Sequence, residues 1–142
     1  MISKPKKAIR QVKVEEAMTR DVRTISKDLT IGELKKLFDE YDYNAFPLLE
    51  GERLIGMVTK LDLMKTFTMG LGFSRSRYWN LFAEKVEDIM RHSVVSVKPS
   101  DSIETVVEYM VEFKLRSIPV VQDNRLVGMI SRTDVMKHLV AE

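Results

Sequence analysis

Two stretches of this chain carry the same residue types at the same spacing: Gly56-Met57-Val58-Thr59-x-x-Asp62 and Gly128-Met129-Ile130-Ser131-x-x-Asp134. The apolar run Leu54 to Val58 reads as a buried strand, so Thr59, and Ser131 by analogy, fall where a helix should begin. Two kinds of chemistry suit that pattern. A hydroxyl followed three residues later by a carboxylate is a helix N-cap with an acidic partner, the cap contributing roughly 0.5–2 kcal/mol. A strand running straight into a helix also presents free N–H groups, a hydroxyl and the positive end of a dipole, which together suit a phosphate. An Asp one turn in can then accept hydrogen bonds from both hydroxyls of a ribose, as the acidic residue of dinucleotide folds does. The residues alone leave both readings open.

What positions these groups is a repeat. Shifted by 72 positions, Val14 to Phe67 aligns with Val86 to Leu139 without a gap, pairing Met18 with Met90, Val22 with Val94, Ile31 with Ile103, Pro47 with Pro119 and Asp62 with Asp134. A fixed-period echo of that length marks one supersecondary unit used twice. Within each unit Val14 to Met18 and Val86 to Met90 read as short helical lead-ins, and Val22 to Ile25 and Val94 to Val97 as first strands. Thr30-Ile-Gly-Glu33 matches a capping box ahead of a helix to about Tyr41, with Ile31, Leu34, Leu37, Phe38 and Tyr41 on one face; the equivalent helix begins around Ser102. Ala45 to Leu49 and Leu54 to Val58 are apolar runs joined by the turn Glu50-Gly51-Glu52-Arg53, a hairpin that Gln122-Asp123-Asn124-Arg125 repeats. The last helices start at Lys60 and Arg132.

The order strand, helix, strand, turn, strand, helix, with Phe46-Pro47-Leu48-Leu49 and Ile118-Pro119-Val120-Val121 ahead of the two motifs, resembles the CBS domain, named after cystathionine β-synthase. The tandem pair resembles a Bateman module over residues 14 to 142. The resemblance implies an α/β (α+β) fold of two tandem repeats, each a small, mostly three-stranded sheet with two packed helices, related by a pseudo-twofold. It implies a regulatory, non-enzymatic module that needs no cofactor and binds AMP, ADP, ATP or S-adenosylmethionine in the cleft between the repeats, signalling to an effector protein. Carried over residue by residue, one site uses Thr24, Tyr43, Asn44, Thr59 and Asp62, with Arg116 reaching across; the other uses Ser96, Leu115, Arg116, Ser131 and Asp134, with Asn44 and Ala45 opposite. The first strand and the backbone before the hydrophobic-Pro strand of each repeat grip the base; Pro47, Ser117 and Pro119 complete the ligand-binding set, and Lys60 and Arg132 add positive charge. Arg116 makes the Asp62 site the expected tighter one for a phosphate chain. Many family members have glycine where this chain has Asn44 and Arg116, a departure that bears on which ligand fits.

The repeats differ at three positions of the long helix, where Lys35, Leu37 and Asp39 become Val107, Tyr109 and Val111. With Val106, Met110 and Phe113, the second helix is apolar around more than one face, which predicts that residues 103 to 113 join a twofold homodimer interface.

At 142 residues the chain is short for two independent cores, so the repeats are expected to share hydrophobic faces. A composition 44% hydrophobic and 31% charged is globular. Absence of cysteine removes disulfides and thiolate metal sites and fits a reducing, cytoplasmic setting. The longest uncharged run, Thr66 to Ser74, falls far short of the ~18 residues of a membrane span. The net charge of +2 comes from a basic arm over residues 1–13, holding Lys4, Lys6, Lys7, Arg10 and Lys13; the remainder carries 18 basic against 21 acidic residues. A nucleic-acid footprint over the fold is therefore unfavoured, although the arm alone could touch a phosphate backbone. A protein-interaction subunit with vestigial nucleotide sites is the other alternative. His92 and His138 stand alone, without metal-ligand spacing or a triad partner. The connector between the repeats, residues 68–85, has no counterpart; its Arg75, Arg77 and Trp79 suit a packed crossover, a phosphate contact or a partner surface.

Overall fold

Thr30 opens the first long helix as its sequence predicts. Its hydroxyl accepts from the Glu33 N–H (3.1 Å), and the Glu33 carboxylate returns the bond to the Thr30 N–H (3.3 Å). The computed structural model describes residues 8–68, 82 and 84–139. Among them the order is a 3-10 turn at Ile9–Gln11, α1 (Val14–Ala17), β1 (Ile25–Ser26), α2 (Ile31–Glu40), β2 (Ala45–Glu50), β3 (Arg53–Thr59), α3 (Lys60–Thr68), a 3-10 turn at Val86–Asp88, α4 (Ile103–Phe113), β4 (Ser117–Gln122), β5 (Arg125–Ser131) and α5 (Arg132–Met136). The fold is mixed α+β. Arg75, Arg77 and Trp79, with Lys4, Lys6 and Lys7 of the arm, lie outside the described residues.

The chain divides into two compact units. One takes Arg23–Val94; the other joins the residues up to Val22 to those from Val95 on. In the Arg23–Val94 unit, β1 pairs parallel to β2 (Ile25 opposite Leu48), and β2 pairs antiparallel to β3 from Ala45–Thr59 to Glu50–Arg53. Its core holds Ile25, Ile31, Leu34, Phe38, Phe46, Leu48, Val58, Leu63 and Val86. In the other unit β4 and β5 repeat the hairpin from Ser117–Ser131 to Gln122–Arg125, over a core that includes Val12, Val14, Ile103, Val106, Ile118 and Ile130. The turns meet their backbone demands differently: Gly51 has φ +65°, whereas Asp123 and Asn124 have φ 52° and 66°, the paired left-handed conformations of a two-residue hairpin turn.

The division shows how the two repeats share hydrophobic faces. Val14, at the start of the first repeat, is buried in the core built on the second repeat's body, and Val86 is buried in the core built on the first. Backbone bonds fix the exchange: Val14 N–H to Asp101 O (2.8 Å) and Ile103 N–H to Val12 O (2.9 Å) in one unit, Val86 N–H to Leu29 O (2.8 Å) and Ile31 N–H to Glu84 O (2.8 Å) in the other.

The first strands are shorter than the apolar pattern predicts. Val22 to Ile25 yields only Ile25–Ser26, and Val94 to Val97 yields a single parallel bridge from Val97 to Val120. Ile25 and Val97 are buried and Val22, Val94 and Val95 half-buried, while only one or two residues of each stretch find a strand partner to bond.

Candidate functional site

Each candidate half-site is built within one unit at the point where a hairpin's second strand becomes a helix. Thr59 ends β3 and α3 begins at Lys60. The Thr59 hydroxyl accepts from the Asp62 N–H (3.0 Å), and Asp62 Oδ2 accepts from the Thr59 N–H (2.9 Å). Ser131 and Asp134 do the same at 3.1 and 2.9 Å. Both motifs are therefore reciprocal capping boxes, the first of the two chemistries open to them. The dipole argument is unequal between them, since α3 runs nine residues and α5 five.

Strand register brings several expected residues to each cap. Ala45 lies opposite Thr59, and the Asn44 carbonyl accepts from the Lys60 N–H (3.0 Å), carrying the hairpin ladder into the helix. Ser117 lies opposite Ser131, and the Arg116 carbonyl accepts from the Arg132 N–H (3.0 Å). Pro47 and Pro119 are buried two pairs further in, opposite Met57 and Met129. The Tyr43 ring joins the core's aromatic cluster, 5.3 Å from Phe46 and 5.7 Å from Tyr41. Thr24 stands half-buried directly before β1, and Ser96 exposed directly before the Val97 bridge. Arg132 points its Nε at the Leu115 carbonyl (2.9 Å), so part of its donor fork is spent on the protein's own backbone.

Two residues absent from the sequence reading stand nearest the carboxylates. The lead-in after Met90 bridges β3, with Arg91 N–H to Met57 O at 2.7 Å and Met57 N–H to Arg91 O at 3.1 Å. That dock sets Arg91 Nε 3.0 and 3.1 Å from the Asp62 oxygens and Nη2 3.0 Å from Oδ1. In the other unit Thr19 bridges Met129 in the same way, and its hydroxyl stands 3.4 Å from both Asp134 oxygens. The one available signal is that Arg91 and Thr19 are equivalent positions of the repeat with different chemistry.

Gly56 and Gly128 make the docks possible. A Cβ on Gly56 would lie 2.6 Å from Met90 Sδ and 2.9 Å from the Arg91 carbonyl; on Gly128 it would lie 2.8 Å from both Met18 Sδ and the Thr19 carbonyl. The glycine of the motif thus lets the lead-in reach the strand, and the lead-in delivers a side chain to the carboxylate.

A family model described as the CBS domain matches residues 14–68 and 86–141. The chain belongs to the CBS domain family. A relative from Methanocaldococcus jannaschii, an uncharacterized protein, is 36% identical over 132 residues, covering 91% of this chain and 44% of that protein. The chain spans less than half the length of the first curated relatives it matches, and only 13% of the A-adding tRNA nucleotidyltransferase of Geobacter sulfurreducens (30% identical, 87% of this chain). Among solved CBS structures, CBSX2 in complex with AMP superposes with a TM-score of 0.76 (22% identical, 89% of this chain, 94% of that one). A CBS domain pair in complex with 5′-methylthioadenosine and S-adenosyl-L-methionine superposes at 0.74 (20% identical, 89% and 94%).

Proposed function

We propose that this CBS pair is a non-catalytic sensor that binds an adenosine compound, AMP, ADP, ATP or S-adenosylmethionine, and passes its occupancy to a partner protein. The observation that carries this reading is the doubled carboxylate: each unit holds an Asp against a strand-to-helix junction, beside a backbone segment that can grip a base. Relatives of the same fold bind AMP, or methylthioadenosine and S-adenosylmethionine. On this reading Asp62 and Asp134 accept from ribose hydroxyls. Thr24, Tyr43, Asn44, Ala45 and Pro47 in one unit, and Ser96, Leu115, Arg116, Ser117 and Pro119 in the other, shape the base pockets. Thr59, Lys60, Ser131 and Arg132 meet the remainder of the ligand.

The module acts as a homodimer through α4, where the apolar side chains of Val111 and Phe113 are 75% and 48% exposed. Among the described residues no helix is long and apolar enough to cross a membrane. A cytoplasmic setting accords with the cysteine-free sequence. Calorimetric titration with AMP, ADP, ATP and S-adenosylmethionine tests the reading: saturable binding of at least one is expected, and no binding of any would leave a vestigial interaction module.

A further inference from the structure

Asp62 and Asp134 occupy equivalent positions, yet their remaining hydrogen-bonding capacity differs. Each accepts at Oδ2 from the N–H of its capping residue at 2.9 Å. A carboxylate offers about four lone-pair directions. On Asp62, Oδ1 faces Arg91 Nε and Nη2 at 3.0 Å each, and Oδ2 shares the Nε at 3.1 Å beside the Thr59 N–H. Three protons thus fall on it, the single Nε–H shared between both oxygens, which leaves fewer than two directions open. Asp134 faces a neutral hydroxyl with one proton to give, at 3.4 Å, longer than the usual ~2.5–3.0 Å of an O–H···O bond. A ribose diol needs two acceptor directions on one carboxylate, and Asp134 has them open.

We infer that Arg91 is a latch on the Asp62 half-site, so that an adenosine compound occupies Asp134 first and reaches Asp62 only by displacing a charged guanidinium. The inference rests on the reading of both carboxylates as ribose acceptors, and it reverses the order that the charge on Arg116 suggested. Charge-assisted bonds are the strong ones, and the Asp62 side chain is only 11% exposed, so water competes weakly for it. The Arg91 side chain is 47% exposed and its backbone bridge to Met57 does not depend on the guanidinium, so the latch can swing into solvent without undoing the fold. The two half-sites then respond over different concentration ranges.

Titration of AMP into the full chain, followed by calorimetry, tests this with Arg91→Thr, which copies the Asp134 half-site, and Thr19→Arg, which copies the latch. The wild type is expected to show two affinities separated by about tenfold or more, the scale of one hydrogen bond to a charged group. Asp134→Ala removes the tighter event and Asp62→Ala the weaker one. Arg91→Thr tightens the weaker event until the two lie within about threefold, whereas Thr19→Arg weakens the tighter one by about tenfold. Should Thr19→Arg fail to fold, Arg91→Lys, which keeps the charge and loses the fork, is expected to fall between wild type and Arg91→Thr. Two equal wild-type sites that respond to the Asp variants would overturn the latch and leave the ribose reading standing, as would an Arg91→Thr protein whose weaker site is unchanged. No AMP binding to any variant would overturn both.

Discussion

Gly56 and Gly128 are the residues on which the site's assembly depends most directly, because each lets a lead-in backbone lie against a strand where a methyl group cannot fit. Gly56→Ala would drive Cβ against the carbonyl of Arg91, whose backbone N–H and C=O each bond to Met57, so relief by a side-chain rotation is not available. We expect Gly56→Ala and Gly128→Ala each to lose about 1–3 kcal/mol in urea unfolding, the scale of overpacking, and to free Arg91 or Thr19 from its carboxylate. Gly51 is the control: nothing lies within 4 Å of its Cβ direction, but its φ is +65°, so Gly51→Ala should cost only about 1 kcal/mol, through backbone strain alone. At this scale the sequence disclosed the caps and the carboxylates, since Thr59, Asp62, Ser131 and Asp134 are neighbours along the chain. Arg91 was not legible, because its meeting with Asp62 is made by a bridge between segments 34 residues apart at Met57 and Arg91.

The helix α4 ends at Lys114 in a left-handed conformation (φ 56°, ψ 41°), with its N–H bonded to the Met110 carbonyl. A side chain there is strained where glycine is not, so Lys114→Gly should stabilise the protein by about 1 kcal/mol, read as a raised urea midpoint at unchanged slope. The equivalent helix α2 ends instead on an extended Tyr41, and the same substitution at Asp42 has no such gain to make. Helices and hairpins were legible because their signals are local: the Thr30 and Ser102 caps, the Gly51-Glu52 and Asp123-Asn124 turns, the period of apolar residues. The exchange of lead-ins was not, since Val14 and Val86 have the same pattern whichever body buries them. First strands were overestimated for a related reason, as apolar content reports burial and says nothing of hydrogen-bond partners.

At the scale of the whole molecule, two cores are each completed by a lead-in from the other repeat, and α4 leaves Val111 and Phe113 exposed. If α4 is the twofold contact, the wild type should sediment as a dimer at micromolar concentration and Val111→Asp as a monomer with its circular dichroism unchanged. A monomeric wild type at high micromolar concentration would remove the dimer from the proposal. The sensor itself stands on the two carboxylates acting on a ligand as well as on their helices. Asp→Asn is the informative change, because an amide oxygen can still accept the capping bond while the charge-assisted acceptor for a ribose is lost. The most direct test is AMP binding to the wild type and to the double variant Asp62→Asn/Asp134→Asn, each shown by circular dichroism to be folded. We predict that the double variant binds AMP at least about tenfold more weakly than the wild type. Equal affinity in the two proteins would contradict the account and reduce both carboxylates to helix caps.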